Sequence, residues 1–185
     1  KRLSTERGGS RSRYSDLYLG LAMMETGKTD VAVARLEKFI AAVDNAKYKT
    51  LASVALGMAA HLAGEKQKAQ EIWNGISQDD PEVRAELAAA WSRAGLAEKN
   101  APALCDDALA DVRKSGKAIS IGVFTNCLGV YARAGQVEKG RDLFRNADLK
   151  AYSYRESLGK SKVLSFYDVR FFGSLAAYYM QESLA

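Results

Sequence analysis

Apolar residues recur at intervals of three and four positions along most of the chain, which is the period of one face of an α-helix. The stretches LGLAMMETGKTDVAVARL at 19–36 and LGMAAHLAGEKQKAQEIW at 56–73 show this pattern twice. They share Leu-Gly, then Ala, Gly, Ala and a large apolar residue at identical offsets. The pattern predicts an all-α protein in which one helical unit, broken by a glycine turn, is repeated.

The letters GKT at 27–29 and GKS at 159–161 could end a phosphate-binding loop, but the rest of that loop is missing. Such a loop needs a further glycine five residues before its second glycine, after a buried strand. Ala22 and Tyr154 stand at those places, and residues 16–24 have the pattern of a helix. We therefore predict that Gly27, like the matching Gly64, ends one helix and lets the chain turn into the next.

The unit occurs four times. Its turn glycines are spaced by 37, 31 and 40 residues, at Gly27, Gly64, Gly95 and Gly135. The third copy is degenerate, because the small residue of its second helix lies one position late, at Ala101, and the fourth has Gly140 where others have alanine. We predict copies at 14–44, 50–77, 81–109 and 120–147, after a basic linker or frayed tail at 1–13 and before a connecting loop and terminal helix at 148–185.

Each copy resembles a tetratricopeptide repeat, a helix pair with small residues where its helices cross and a glycine at the turn. The resemblance covers residues 14–147, and no subfamily is identified. It implies a right-handed α-solenoid of about four helix pairs plus a C-terminal capping helix, since an array must cover the apolar face of its last pair. Residues 166–185, FYDVRFFGSLAAYYMQESLA, are predicted as that cap or as the first helix of a fifth repeat.

Small and large residues have different places in this predicted packing. Alanines are expected to let helices approach closely, at Ala22, Ala32, Ala59 and Ala69. Large residues are expected to fill the space between repeats, at Leu19, Leu36, Leu56, Trp73, Trp91, Leu104, Tyr131 and Phe144. Leucine in place of Ala22 or Ala59 should then overpack a crossing, whereas leucine in place of exposed Lys66 should not.

Composition and charge point to a soluble helical domain. Hydrophobic residues make up 48% of the chain, with two prolines, and no apolar run is long enough for a transmembrane helix. The formal net charge is +5, but five cations lie in the first thirteen residues, and without them and Glu6 the body has 22 basic and 21 acidic residues. A cytoplasmic and a periplasmic location both fit, and a signal or anchor before residue 1 stays open.

The sequence offers little for catalysis, for a cofactor or for a metal. Two cysteines and one histidine cannot make a Cys/His metal site. His61 has no Ser or Cys at a helical offset that would make it a general base. We expect a non-enzymatic chain without cofactors, with Cys105 and Cys127 as buried thiols, although the register places them on neighbouring helices and leaves a disulfide open.

The resemblance implies that the first helices line a concave face, which binds an extended peptide or a helix of a partner. The partner-binding residues are predicted to be Leu17, Leu21, Met24, Val54, Met58, His61, Arg84, Arg93, Asn126 and Arg133. These residues form an apolar half beside a basic half, which suits a partner with apolar anchors followed by acidic residues. The expected function is therefore a scaffold or adaptor for protein–protein interaction, within a larger assembly.

Two other functions stay open at this stage. Residues 124–147 also resemble a pentatricopeptide repeat, the unit of RNA-binding arrays that read one base per repeat. The uneven glycine spacing and the nearly neutral body argue against nucleic acid. The second alternative is a structural spacer that self-associates through the aromatic terminal helix at 166–185.

Overall fold

The computed structural model describes residues 9–96 and 100–146, without the side chains of residues 9–13. Within these ranges the chain is all-α, as predicted, with eight helices and no strand. The helices are α1 (Gly9–Glu25), α2 (Thr29–Ala42), α3 (Ala46–Leu62), α4 (Lys66–Asn74), α5 (Pro81–Arg93), α6 (Asn100–Lys114), α7 (Ile121–Arg133) and α8 (Val137–Asn146). The predicted loop and terminal helix at 148–185 lie outside the described residues.

The described helices form two compact units that divide between Ser77 and Gln78, here called unit 1 (α1 to α4) and unit 2 (α5 to α8). In unit 1, α1 packs on α2, and α3 packs on α1, α2 and α4. In unit 2, α5 packs on α6 and α7, α6 packs on α7, and α7 packs on α8. Each unit therefore contains two helix pairs, α1/α2 and α3/α4 in one and α5/α6 and α7/α8 in the other.

Several helix boundaries follow from local chemistry. The side chain of Asn45 accepts a hydrogen bond from the backbone N–H of Tyr48, which caps the start of α3. Asp80 caps α5 in the same way, ahead of Pro81, whose fixed φ suits the first turn of a helix. The start of α1 differs from expectation, since the helix begins at Gly9, inside the segment predicted as linker or tail.

The four turn glycines end the first helix of each pair with the same geometry. Gly27, Gly64, Gly95 and Gly135 have φ values of 75°, 88°, 65° and 66°, in the left-handed region that glycine enters without steric cost. After Gly27, the N–H of Lys28 donates to the carbonyl of Met23 at 2.9 Å. In the other three turns, the N–H of the residue after the glycine donates to the carbonyl five residues earlier at 2.9 to 3.0 Å. The same turn motif therefore occurs in all four pairs. The prediction that Gly27 and Gly64 end helices is confirmed.

The close approach between paired helices in unit 1 occurs at glycine. A Cβ atom added to Gly20 would lie 2.8 Å from Cγ of Leu36, and one added to Gly57 would lie 2.7 Å from Cδ1 of Trp73. The indole N–H of Trp73 donates to the carbonyl of Val54 at 3.1 Å, which fixes the ring against α3. Gly20 and Gly57 are thus the small residues that these two crossings require.

The predicted packing roles are only partly confirmed. Ala32, Ala59, Ala69 and Leu36 are fully buried, and Trp73 and Tyr131 nearly so. Leu56, Trp91, Leu104 and Phe144 are half-buried. The prediction is wrong for Leu19, which is 42% exposed, and for Ala22, which is also exposed. Both lie on a side of α1 that no described helix covers, so leucine at position 22 is not expected to overpack a crossing.

Unit 2 has a core built around α7. All ten residues from Val123 to Ala132 are buried, so this helix is surrounded on every side. Cys105 and Cys127 are fully buried free thiols in this core, as expected from the sequence, with Sγ of Cys127 4.0 Å from the carbonyl oxygen of Cys105. No helix in the described part of the chain has the length and apolarity needed to cross a bilayer.

Candidate recognition face

The turn glycines supply a common register for the first helices of the four pairs. A residue can be numbered by how far it precedes its turn glycine, so that positions in α1, α3, α5 and α7 can be compared directly. Gly20, Gly57, Ala88 and Leu128, for example, all lie seven residues before the turn glycine, and all are buried. The register makes it possible to ask which positions of the predicted concave face reach the surface.

Most of the predicted apolar half does not reach the surface. Relative exposures are 9% for Leu21, 5% for Met24, 1% for Val54 and 4% for Met58. These four side chains belong to the hydrophobic core, so the expectation that they form an exposed apolar surface is corrected. Leu17 is half-buried and keeps part of its surface accessible.

The reason for this burial lies in the composition of α3. Its residues Val54, Ala55 and 57–60 are all buried, and a helix that is apolar on all sides is buried on all sides. In this unit, α3 has three neighbouring helices, and among residues 54–60 only Leu56 keeps part of its surface accessible. The register can identify which side chains lie on the side of the predicted concave face. It does not show whether that side is accessible to a ligand.

His61 lies at the C-terminal end of α3 and is half-buried. Its ring centroid is 6.1 Å from that of Trp73, with the planes tilted by 31°. Its Nδ1 is shielded from solvent and has no hydrogen-bond partner in the described structure. The contact with Trp73 makes His61 mainly a packing residue of unit 1.

Arg84, predicted in the basic half of the face, serves a structural role in unit 2. Its guanidinium donates to the backbone carbonyl of Gln78 at 2.9 Å and forms an ion pair with Asp111 near the end of α6. Only 13% of its side chain is exposed. Arg84 therefore ties the start of α5 to α6, and its charge is already compensated within the unit.

Asn126 connects the two first helices of unit 2. Its Nδ2 donates to Oε2 of Glu86 at 2.7 Å, and its residue is 7% exposed. The neighbouring hydroxyl of Thr125 donates back to the carbonyl of Ile121 within α7. A buried polar group with a partner stabilises this contact, whereas the amide cannot reach a ligand without giving up its bond to Glu86.

The two remaining predicted residues, Arg93 and Arg133, retain surface. Arg93 is half-buried and Arg133 is exposed, and they are the last residues of α5 and α7, which pack together. Arg133 also donates to the carbonyl of Gly129 at 3.2 Å. A cavity beside them, lined by Ser92, Pro102, Val130, Arg133 and Ala134, has a volume of about 20 Å³, room for about one water molecule.

Arg93 and Arg133 occupy the same register position, two residues before the turn glycine. Glu25 and Leu62 occupy it in the other two pairs, and sequence reasoning did not select them. Glu25, Leu62 and Arg133 are exposed, with 47% of Leu62 accessible, and Arg93 is half-buried. We call these four residues the pre-turn residues. Aligning the copies on their glycines would have found them.

Two side chains of α7 that could act as nucleophiles, those of Cys127 and Tyr131, have raised pKa values. Burial, and then the neighbouring Cys105, raise the pKa of the Cys127 thiol. Burial, and then a 2.7 Å hydrogen bond to Asp106, raise the pKa of Tyr131 well above its usual range. Both groups stay protonated at neutral pH. In the described ranges no three His, Cys, Asp or Glu side chains are grouped so that they could hold a metal ion.

Comparison of the chain with protein-family models, with curated proteins and with solved structures finds no match.

Proposed function

We propose that the chain is a non-catalytic scaffold of the tetratricopeptide-repeat type, a right-handed solenoid that binds a peptide or helix of a partner protein. The observation that carries this proposal is the pre-turn position. It is accessible in every pair, and it holds an acidic, an apolar and two basic side chains, Glu25, Leu62, Arg93 and Arg133.

Around that position, the pairs share one frame. The turn glycines have the same left-handed geometry in all four copies, and the residues seven positions before them are buried in all four. Stacked repeats with a recurrent turn and a recurrently buried interior can present different side chains at an accessible position along an extended binding surface. This contrast supports recognition over a purely structural role for the first helices.

The pre-turn residues also suggest the chemistry of the ligand. In unit 2, two guanidinium groups on neighbouring helices favour carboxylates, which arginine binds with paired hydrogen bonds. In unit 1, Leu62 offers an apolar contact with 47% of its surface accessible. Unit 1 thus favours an apolar anchor and unit 2 favours acidic residues, the two chemistries expected from the sequence, with Leu62 in place of Val54 and Met58.

A second role for the two arginines has to be separated from binding. A cation in the last turn of a helix is stabilised by the helix dipole, and Arg93 and Arg133 both lie there. Glutamine removes the charge while keeping the length of the side chain. Arg93→Gln and Arg133→Gln should therefore weaken binding. Their cost to the fold includes the dipole term, about 0.3 to 1 kcal/mol for each cation, and for Arg133 the hydrogen bond to the Gly129 carbonyl.

The test is a peptide-display selection on the whole chain, followed by titration of the selected peptides. We expect apolar residues followed by Asp or Glu, with affinity reduced about tenfold or more by the double variant Arg93→Gln/Arg133→Gln. That loss should shrink as salt rises above about 0.15 M, because exposed charges are screened. Loss caused by Leu62→Asp should persist at high salt.

Lys66→Gln is the matched control, since Lys66 is exposed and lies in the helix after the same turn as Leu62. Selected peptides whose affinity is insensitive to the pre-turn residues would contradict the proposal. So would tight binding of single-stranded RNA whose affinity falls log-linearly with salt, the behaviour of a nucleic-acid-binding array.

A further inference from the structure

The two cysteines of the chain lie next to each other in the core of unit 2. Cys105 belongs to α6 and Cys127 to α7, and both side chains are fully buried. Sγ of Cys127 lies 4.0 Å from the carbonyl oxygen of Cys105, and the Cys127 thiol also hydrogen-bonds to the Cys105 side chain. The fold therefore brings together two thiols that are 22 residues apart in the sequence.

The surroundings of Cys105 allow another helix to come close at this point. Ala101 and Ala108 lie one turn before and one turn after it in α6, and both are fully buried. Small side chains let a neighbouring helix approach the backbone, and the contact of the Cys127 thiol with a backbone carbonyl is an approach of this kind. A disulfide needs such closeness, because its two Cα atoms usually lie about 4.4 to 6.8 Å apart.

Both thiols are shielded from reagents while unit 2 is folded, since neither side chain has accessible surface. The thiolate is the form that attacks a disulfide, and burial, followed by the neighbouring Cys105, raises the pKa of the Cys127 thiol. Reaction with an oxidant therefore takes place before α7 packs into the core, or after unit 2 opens locally. Once α6 and α7 are packed, the two sulfur atoms are held beside each other.

We propose that Cys105 and Cys127 are a redox pair, which a small-molecule disulfide such as oxidised glutathione converts into an intramolecular disulfide between α6 and α7. One protein thiolate attacks a sulfur of oxidised glutathione and releases one glutathione thiolate. The second protein thiolate attacks the protein sulfur of this mixed disulfide and releases the second glutathione. In total the chain loses two hydrogen atoms, and one oxidised glutathione becomes two reduced glutathione molecules.

The disulfide joins the helix pair α5/α6 to the pair α7/α8 inside unit 2. It stabilises the fold mainly by limiting the conformations of the unfolded chain, since it closes the loop between α6 and α7. Reducing compartments keep such pairs as thiols, whereas oxidising ones convert them to disulfides. The stability of unit 2 thus depends on the redox state of its surroundings, and this property does not rest on partner binding by the pre-turn residues.

The first measurement is the thiol–disulfide equilibrium of the whole wild-type chain in buffers of oxidised and reduced glutathione. Samples start from reduced and from oxidised protein, are quenched in acid, and are weighed by intact-mass spectrometry. We expect a monomer that is lighter by two hydrogen atoms and carries no glutathione. The disulfide should form about a hundredfold more favourably in the folded chain than in urea, because folding and loop closure stabilise each other.

The second measurement compares thermal melts of the oxidised chain with and without dithiothreitol. The intact disulfide should raise the melting temperature by about 5 to 10 °C. The double variant Cys105→Ala/Cys127→Ala is the matched control, and its melt should not respond to the reductant. Because the first measurement uses the wild type alone, the test does not depend on the folding of this variant.

Three results would each overturn the proposal. The first is equal disulfide formation in the folded and the urea-unfolded chain, which would mean that the fold does not hold the sulfur atoms together. The second is a folded chain that carries glutathione or forms covalent dimers in place of the intramolecular bond. The third is a lower melting temperature of the oxidised chain, which would mean that the bond strains the contact between α6 and α7.

Discussion

The first helices α1 and α7 share one register and differ most in burial. In α7, ten consecutive residues from Val123 to Ala132 are buried, including the polar Thr125 and Asn126. In α1, the buried side chains among the described ones are Leu21 and Met24, next to the buried Gly20. The comparison shows that the repeat pattern predicts the side of the helix on which a side chain lies. Whether that side chain is buried depends on whether another helix packs against that side.

The largest expected difference is for a charge at the position five residues before the turn glycine. Val130→Asp places an unpaired carboxylate in the core of unit 2 and should cost about 3 to 5 kcal/mol. Ala22→Asp lies on exposed surface and should change the free energy of unfolding by less than about 0.5 kcal/mol. Urea unfolding of dilute protein measures both, and equal destabilisation by the two variants would break the comparison.

A smaller effect is expected for added volume at the same position. Ala59 is fully buried, so Ala59→Leu should overpack the interior of unit 1 at a cost of about 1 to 3 kcal/mol. Ala22→Leu should be tolerated like Lys66→Leu, within about 0.5 kcal/mol. Thermal melts of the three variants decide the point, and a melt of Ala22→Leu as low as that of Ala59→Leu would mean that α1 is covered.

Tyr131 gives α7 a dependence on alkaline pH. At neutral pH, Tyr131→Phe removes the hydrogen bond to Asp106, which still pairs with Lys139 at 2.6 Å, and should cost about 1 to 2 kcal/mol. Because the folded state raises the pKa of Tyr131, the wild type keeps this proton after the unfolded chain has lost it, and stability falls once pH exceeds about 10.

The matching measurement is urea unfolding of wild type and Tyr131→Phe at pH 10 and pH 11. The wild type should lose about 1 kcal/mol more than the variant over this interval, the value for one proton released only on unfolding. If the two proteins lose stability in parallel, Tyr131 ionises freely in the folded state and is not buried as described.

The smallest effect concerns Asp16, a residue of α1 whose carboxylate pairs with two cations of α2. Hydrogen bonds from Arg35 at 2.7 Å and from Lys38 at 3.0 Å lower its pKa. A lowered pKa contributes stability above the unfolded value of 3.8, which is lost as pH falls through the folded value. Wild type should therefore lose slightly more stability than Asp16→Asn between pH 5 and acid; an equal loss would show that this surface pair contributes nothing.

Sequence reasoning succeeded where a single residue type determines local structure. A left-handed residue after a helix is usually glycine, so Gly27 and Gly64 could be assigned as helix ends from the sequence. The helical period likewise predicted an all-α chain. The start of α1 was missed because the basic residues around Gly9 carry no apolar period.

Packing roles could not be read as well from the sequence. Ala22 and Ala59 match in the two aligned stretches, yet one is exposed and the other is fully buried, because their neighbours differ. The repeat register predicts an open face at Val54 and Met58 because it orients side chains but does not count the surrounding helices. Gly20, which marks the actual crossing in the first pair, was visible in the same alignment.

The central claim, that one register is exposed in α1 and buried in α7, is tested most directly by thiol labelling. Leu19→Cys introduces a thiol at the position that Cys127 occupies in the fourth pair, where Leu19 is 42% exposed and Cys127 fully buried. Dilute protein under native conditions is treated with maleimide and weighed by intact-mass spectrometry. One adduct is expected on the variant and none on the wild type until urea unfolds it. Rapid labelling of the wild type, or an unlabelled variant, would show that the two positions do not differ in burial.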